Sequence, residues 1–90
     1  MLVDNEAALR AYLVRQAWEL DKIKQLTRRE RQVIWLMGSG LSRSQIAKAL
    51  GLSEHTVNNH FSSIFRKLQV RGYWELAIYA YRHGLARPPV

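Results

Sequence analysis

Apolar residues along this chain recur at spacings of three and four positions, which is the period of an amphipathic α-helix. No stretch alternates apolar and polar residues with the β-branched composition that is typical of a strand. Glycine and capping residues divide the pattern into five segments, at residues 4–24, 27–38, 42–51, 53–68 and 72–84. The pattern therefore predicts an all-α fold.

The first segment is predicted to form a neutral amphipathic helix with Asp4 as its N-cap. Its apolar side is expected to hold Leu9, Leu13, Leu20 and Ile23, with Tyr12, Ala17 and Trp18 nearby. A helix of this kind can pack on its own domain or pair with a second copy.

The second and third segments each begin with a capping box, in which a hydroxyl residue is followed three positions later by Glu or Gln. These pairs are Thr27 with Glu30 and Ser42 with Gln45. Gly38 is expected to adopt the left-handed conformation just after the second helix. The inward positions of the two helices are predicted to be Val33, Ile34, Leu36 and Met37, and then Ile46, Ala47 and Leu50.

The third and fourth segments have the pattern of a helix-turn-helix, because only "GLS" separates a short helix from a longer one. Ala47 is small enough for the two helices to approach closely. Gly51 can take a positive φ at the turn, and Leu52 and Val57 can anchor it to the core. An ordinary helical hairpin is the alternative, but this combination of residues favours a DNA-binding unit.

The fourth segment has two contrasting sides when each residue is rotated by about 100° from the last. The apolar side holds Val57, Phe61, Ile64 and Leu68. The opposite side holds His55, Asn59, Ser62 and Arg66, and it is flanked by Asn58, Thr56 and Ser63. No acidic residue occurs between Glu54 and Glu75. Asn can pair with adenine and Ser can reach any base, so this polar side favours a helix that enters the major groove.

The histidines and serines of this segment suggest metal binding or catalysis at first sight, but their spacing argues against both. His55 and His60 lie about 140° apart around the helix, too far to bind one metal ion together. The chain has no cysteine to complete such a site. Ser–His catalysis needs a pocket and an orienting acid, which one exposed helix does not supply. We therefore predict no metal, no cofactor, no small-molecule ligand and no enzyme activity, with His60 as a packed, hydrogen-bonded residue beside the apolar side.

Charge supports a polyanionic partner. Residues 1–26 carry four basic and four acidic residues, whereas residues 27–90 carry ten basic and three acidic residues, a net charge of +7. This asymmetry favours nucleic acid as the partner. The absence of cysteine, of a secretory signal and of any long apolar run predicts a cytoplasmic protein without a membrane span.

Residues 26–85 resemble the LuxR/GerE family of helix-turn-helix domains. The matching positions are Leu26, Thr27, Arg29, Glu30, Val33, Gly40, Ser42, Ile46, Ala47, Leu50, Gly51, Ser53, Thr56, Val57, His60, Ile64, Lys67, Leu68 and Val70. The resemblance implies a four-helix transcription regulator domain at residues 26–90, preceded by an additional helix at 1–25 for packing or dimerisation. It also implies that helix 53–68 lies in the major groove of double-stranded DNA and that the protein binds as a homodimer.

The resemblance, together with the polar side of helix 53–68 that supplies His55 and Arg66, assigns roles to individual residues. Base contacts are expected from Asn58, Asn59 and Ser62, with His55 at the edge. Phosphate contacts are expected from Thr56, Arg66, Lys67, Arg43, Ser44 and Arg28. Many members carry Lys or Arg at positions 58 or 62, so Asn and Ser there predict a shallower salt dependence and more weight on base edges, especially A·T pairs.

Dimerisation is expected through Trp74, Ile78 and Tyr81 on the last helix, although these residues could instead fill the core. In multi-domain members, such as response regulators, another domain precedes the DNA-binding part. We expect that residues 1–25 leave no room for one, so the chain is either a stand-alone regulator or a part of a longer one. RNA polymerase is a further candidate partner. Two alternatives stay open: a promoter-reading region of a sigma factor, and a protein-interaction module that sequesters a partner regulator.

Overall fold

The computed structural model describes residues 2–86, with side chains from Asn5 onward, and this part of the chain is all-helical. Its five helices are α1 (Leu2–Lys24), α2 (Arg28–Gly38), α3 (Arg43–Leu50), α4 (Glu54–Leu68) and α5 (Tyr73–Arg82). The prediction of an all-α fold with an extra N-terminal helix is confirmed. None of the helices in the described range has the length and hydrophobicity to cross a bilayer.

Helix α4 lies at the centre of the core. Its predicted apolar side is confirmed, because Val57, Phe61, Ile64 and Leu68 are all buried. Helices α2 and α3 pack against α4, and α2 also packs against α5. These helices add further buried apolar residues, which are Val33, Ile34, Met37, Ile46, Ala47, Leu76 and Ala80. The core therefore holds the opposite side of α4 in a fixed outward orientation.

Local hydrogen bonds set the starts of α2 and α3 as predicted. The Thr27 Oγ1 accepts from the Glu30 N–H at 3.0 Å, and the Glu30 carboxylate accepts from the Thr27 N–H at 2.8 Å. Ser42 and Gln45 form the same reciprocal pair at the start of α3. Both capping boxes are therefore confirmed.

The prediction for Gly38 is wrong. Gly38 is the last residue of α2 and is buried, and the glycine with positive φ in this turn is Gly40, at 93°. A Cβ atom at Gly38 would overlap the side chain of Ala86. Gly38 is therefore required for close packing against the segment that follows α5, and Gly40 makes the turn.

Helix α1 differs from its prediction in position and in burial. It begins at Leu2 instead of at Asp4, whose side chain lies outside the described residues. Leu9, Leu13 and Leu20 are each 56% exposed, so these three residues of the predicted apolar side are not covered by the described part of the chain. Trp18 is nine residues from Leu9 and lies about 180° from it around the helix, on the other side from the one expected.

The C-terminal part of α1 is what joins it to the rest of the domain. Ile23 packs against the core. The hydroxyl of Tyr79 on α5 donates to the Glu19 carboxylate at 2.6 Å. This hydrogen bond lowers the pKa of Glu19 despite partial burial, and burial together with Glu19 raises the pKa of Tyr79. Most of α1 before Glu19 is exposed to solvent.

For Trp74, Ile78 and Tyr81 on α5, the sequence left open whether they form a dimer contact or fill the core. Leu76 and Ala80 are buried and belong to the core. Trp74 is 80% exposed, and Ile78 and Tyr81 are also exposed. These three residues therefore do not fill the core of the described domain.

Candidate nucleic-acid interface

The outward side of α4 is a continuous polar surface. Its residues are exposed, and they are His55, Asn58, Asn59, Ser62 and Arg66. We call these five residues the outer face of α4. The predicted set of base-contacting residues is therefore brought together on one surface, and it contains no acidic side chain.

The turn between α3 and α4 holds this outer face against the core. Gly51 adopts the left-handed conformation with φ of 67°, as predicted. The Leu52 N–H donates to the Ala47 carbonyl at 2.9 Å, which closes the turn. Ala47 is buried and Leu52 is half-buried. A short helix, a tight turn and an exposed second helix therefore form a helix-turn-helix.

Helix N-termini supply most of the predicted phosphate-binding positions. Ser53 caps α4 by accepting from the Thr56 N–H at 3.1 Å, and the two hydroxyls lie 2.9 Å apart. Thr56 is half-buried. Arg28 and Ser44 are exposed in the first turns of α2 and α3. The backbone N–H groups and positive end of each helix dipole favour anions at such positions.

Arg43 is held by neighbouring side chains. Its Nη1 donates to the Asn58 Oδ1 at 2.6 Å. Its Cζ lies 4.9 Å from the ring centroids of both Phe61 and Tyr73. The prediction of a phosphate-contacting Arg43 did not anticipate this arrangement. Nothing in the pattern of α4 pointed to Tyr73, because that residue belongs to α5.

Lys67 occupies a different environment from the one predicted for a phosphate-binding cation. Its Nζ lies 2.8 Å from the carboxylate of Glu30, whose side chain is 3% exposed. Burial opposes ionisation of Glu30, but hydrogen bonds from Lys67, the Thr27 N–H and Ser63 outweigh it and lower its pKa to about 2. Lys67 thus neutralises a buried carboxylate and is not a free cation on the surface.

The two histidines of α4 lie at the margins of the outer face and of the core. His60 is half-buried beside the core, as predicted, but among the described residues its side chain makes no hydrogen bond. His55 is exposed at the N-terminal end of the outer face of α4. Among the side chains that the structure describes, at residues 5–86, no group of three or more from His, Cys, Asp or Glu could hold a metal ion.

These features define a helix-turn-helix domain, in which the second helix, α4, has an exposed polar side. The family model described as bacterial regulatory proteins of the luxR family matches residues 24–80. This chain belongs to that family. The family consists of DNA-binding transcription regulator domains and is not a class of enzymes.

Several curated proteins are similar to the chain. It is 41% identical over 66 residues to the transcriptional regulatory protein LnrK of Bacillus subtilis, covering 73% of this chain and 30% of LnrK. It is 37% identical over 90 aligned residues to the DNA-binding transcriptional activator DevR/DosR of Mycobacterium tuberculosis, covering 98% of this chain and 42% of that protein. The latter similarity includes α1. The chain thus spans less than half the length of these relatives.

Solved structures show the same fold. The response regulator StyR superposes with a TM-score of 0.79 at 36% identity, over 84% of this chain and 38% of StyR. The transcription factor GerE superposes with a TM-score of 0.62 at 36% identity, over 68% of this chain and 91% of GerE. The domain therefore has a GerE-like fold.

Proposed function

We propose that this chain is a sequence-specific transcription regulator that binds double-stranded DNA as a homodimer in the cytoplasm, with α4 in the major groove. The observation that carries the proposal is the outer face of α4, which is exposed, free of acidic residues and rich in groups that can hydrogen-bond to base edges. The luxR-family helix-turn-helix and the excess positive charge on residues 27–90 support it.

Base reading is assigned to Asn58, Asn59 and Ser62, with His55 at the rim. Asn59 lies near the centre of the outer face and its amide makes no hydrogen bond within the described residues. An amide with both its oxygen and its nitrogen available can pair bidentately with adenine. Asn59 is therefore the residue that we expect to discriminate most strongly between bases.

Phosphate binding is assigned to Arg66, Arg28 and Ser44, which are exposed, and to Thr56, which is half-buried. Arg43 donates one N–H to Asn58. Its other N–H groups are available as donors, and we propose that they bind a phosphate. Lys67 is left out, because its ammonium is paired with the buried Glu30. Three arginines then supply the salt-dependent part of binding.

Dimerisation is assigned to Trp74, Ile78 and Tyr81. Their exposure on α5 supports a contact between two copies of the chain through this helix. The exposed leucines of α1 offer a further surface for packing or dimerisation. Sedimentation equilibrium of a Trp74→Ser variant tests the α5 assignment, because it should weaken self-association while a matched Trp18→Ser variant on α1 should not.

The names of the relatives also suggest how the DNA-binding domain is used. StyR is named a response regulator, and the DevR/DosR protein is named a transcriptional activator. We infer that this chain serves as the DNA-binding output of such a regulator, with RNA polymerase as a further candidate partner.

Selection of bound duplexes from a random DNA pool tests the proposal. The expected result is one enriched motif that contains two inverted half-sites, whose spacing reports the geometry of the dimer. A single half-site would contradict the homodimer and leave sequence-specific binding intact. No enrichment, together with a stable complex with another regulator, would instead support the protein-interaction module. Binding to core RNA polymerase without dimerisation would support the sigma-factor alternative.

A further inference from the structure

The contact between Arg43 and Asn58 joins α3 to the outer face of α4. The Arg43 Nη1 and the Asn58 Oδ1 are 2.6 Å apart, which is short for a hydrogen bond to a neutral amide. The guanidinium carbon lies 4.9 Å from the ring centroids of Phe61 and Tyr73, and these two rings are themselves 4.9 Å apart. Because Phe61 is fully buried, this support is part of the core.

The chemistry of arginine decides which end of the Asn58 amide faces it. A guanidinium has five N–H donors and no acceptor, so only the Oδ1 of Asn58 can be its partner. The Nδ2 group, with two N–H donors, is therefore directed away from Arg43. Aromatic rings and a charged hydrogen bond together restrict the rotation of both side chains.

We propose that Arg43 is a positioning residue that presents Asn58 to DNA as a hydrogen-bond donor, so that Asn58 selects guanine. The inference rests on the proposed function. Bidentate pairing with adenine needs Oδ1 to accept from the base, but Oδ1 already accepts from a cation and is thereby a weaker acceptor for a second donor. Guanine presents only acceptors, N7 and O6, on its major-groove edge. The two N–H donors of Asn58 match that edge.

This arrangement gives the two neighbouring asparagines different specificities. Asn59 makes no side-chain hydrogen bond within the described residues, so both ends of its amide are available to adenine. The neighbouring Asn58 offers DNA only the two N–H donors of its Nδ2 group. The sequence predicted more weight on A·T pairs from Asn58 and Ser62. The proposal instead expects guanine at the position facing Asn58, with adenine at the position facing Asn59.

Selection from a random DNA pool with the full chain and with the variants Asn58→Ala, Asn58→Asp and Arg43→Met tests the inference. The chain itself should prefer guanine over adenine roughly tenfold at one position of the half-site. Asn58→Ala and Arg43→Met should both remove the preference at that same position. Asn58→Asp keeps the Arg43 partner but has no donor, so it should reject guanine there. Because Asn58 is exposed, both Asn58 variants should fold even if Arg43→Met does not.

Arg28→Met is the matched control, because Arg28 is the first residue of α2 as Arg43 is of α3. It should weaken binding to all sequences without changing any base preference. The inference is overturned if Arg43→Met behaves like this control, if adenine is enriched at the position that Asn58→Ala alters, or if the variants alter different positions. A chain that enriches no motif at all would instead overturn the proposed function.

Discussion

The ion pair between Glu30 and Lys67 should be a major source of stability for the DNA-binding domain. It joins the start of α2 to the end of α4 across 37 positions of sequence, with Nζ and Oε1 2.8 Å apart. The same carboxylate oxygen accepts the capping hydrogen bond from the Thr27 N–H at 2.8 Å. We therefore expect Glu30→Gln, which preserves the size and the acceptor of the side chain, to destabilise the fold by removing its charge.

The magnitude follows from the pKa of Glu30. A change of one in pKa corresponds to about 1.4 kcal/mol. Lowering the pKa from 4.5 to about 2 therefore makes the ionised form of Glu30 contribute about 3 kcal/mol to folding at neutral pH. Lys67→Met leaves the carboxylate without its cation at a 3% exposed site, so a loss of about 3 kcal/mol is expected there too.

Urea unfolding followed by circular dichroism, measured from pH 7 to pH 2, gives these free energies. Because the folded-state pKa is below the unfolded value, the contribution of Glu30 is fully present above about pH 4.5 and is lost as pH falls toward 2. The stability difference between the parent chain and Glu30→Gln should therefore shrink over that window. The double variant Glu30→Gln with Lys67→Met should lose less than the sum of the two single losses.

Glu6→Gln is the control, because Glu6 pairs with Arg10 at 3.2 Å but its side chain is 72% exposed. It should change the free energy of unfolding by less than about 0.5 kcal/mol. The reasoning is refuted if Glu30→Gln is as mild as this control, or if its stability difference from the parent chain stays constant from pH 5 to pH 2.

Three further changes test the packing and the DNA contacts. Gly38→Ala should lower stability by about 1–3 kcal/mol in thermal unfolding, because the added methyl group meets Ala86, and a second change, Ala86→Gly, should recover part of the loss. Tyr79→Phe removes the hydroxyl that donates to Glu19, so amide exchange should accelerate in the second half of α1 while α4 stays protected; equal acceleration in both helices would contradict this. Arg66→Gln should reduce the slope of log affinity against log salt by about 1 and leave the selected motif unchanged, whereas an unaltered slope would remove Arg66 from the phosphate contacts.

Features that depend on neighbouring residues could be predicted from the sequence. The two capping boxes each join residues three positions apart, so their spacing alone identifies them. The buried and exposed sides of α4 follow from helical rotation, because a single period describes all of Val57, Phe61, Ile64 and Leu68. The conformation of Gly51 followed from the short turn. These local rules were sufficient for the helix-turn-helix.

Features that depend on distant parts of the chain could not be predicted in this way. Arg43 and Asn58 are 15 positions apart, and their common support includes Tyr73 of another helix. Helical rotation places Lys67 near the edge of α4 but does not show that a carboxylate on α2 is close enough to bind it. The role of Gly38 depends on Ala86, which reaches it only after α5 has folded back. Each of these contacts is set by tertiary packing, which local spacing does not report.

The exposed leucines of α1 show a second kind of feature that the sequence alone does not predict. Their spacing indicates an apolar side of the helix, but it does not indicate which surface, if any, packs against that side. Within the described residues, the C-terminal end of α1 is held by Tyr79 while Leu9 and Leu13 face solvent.

The central claim is that the outer face of α4 reads DNA sequence, and one comparison of affinities tests it most directly. Fluorescence anisotropy at fixed salt should measure Asn59→Ala on the duplex selected by the parent chain and on a random duplex, with Asn5→Ala on α1 as the matched control. Loss of one base contact of about 1–3 kcal/mol predicts roughly a 5- to 150-fold weaker affinity for the selected duplex and an unchanged affinity for the random one. An equal fall on both duplexes, or no fall on either, would contradict the claim.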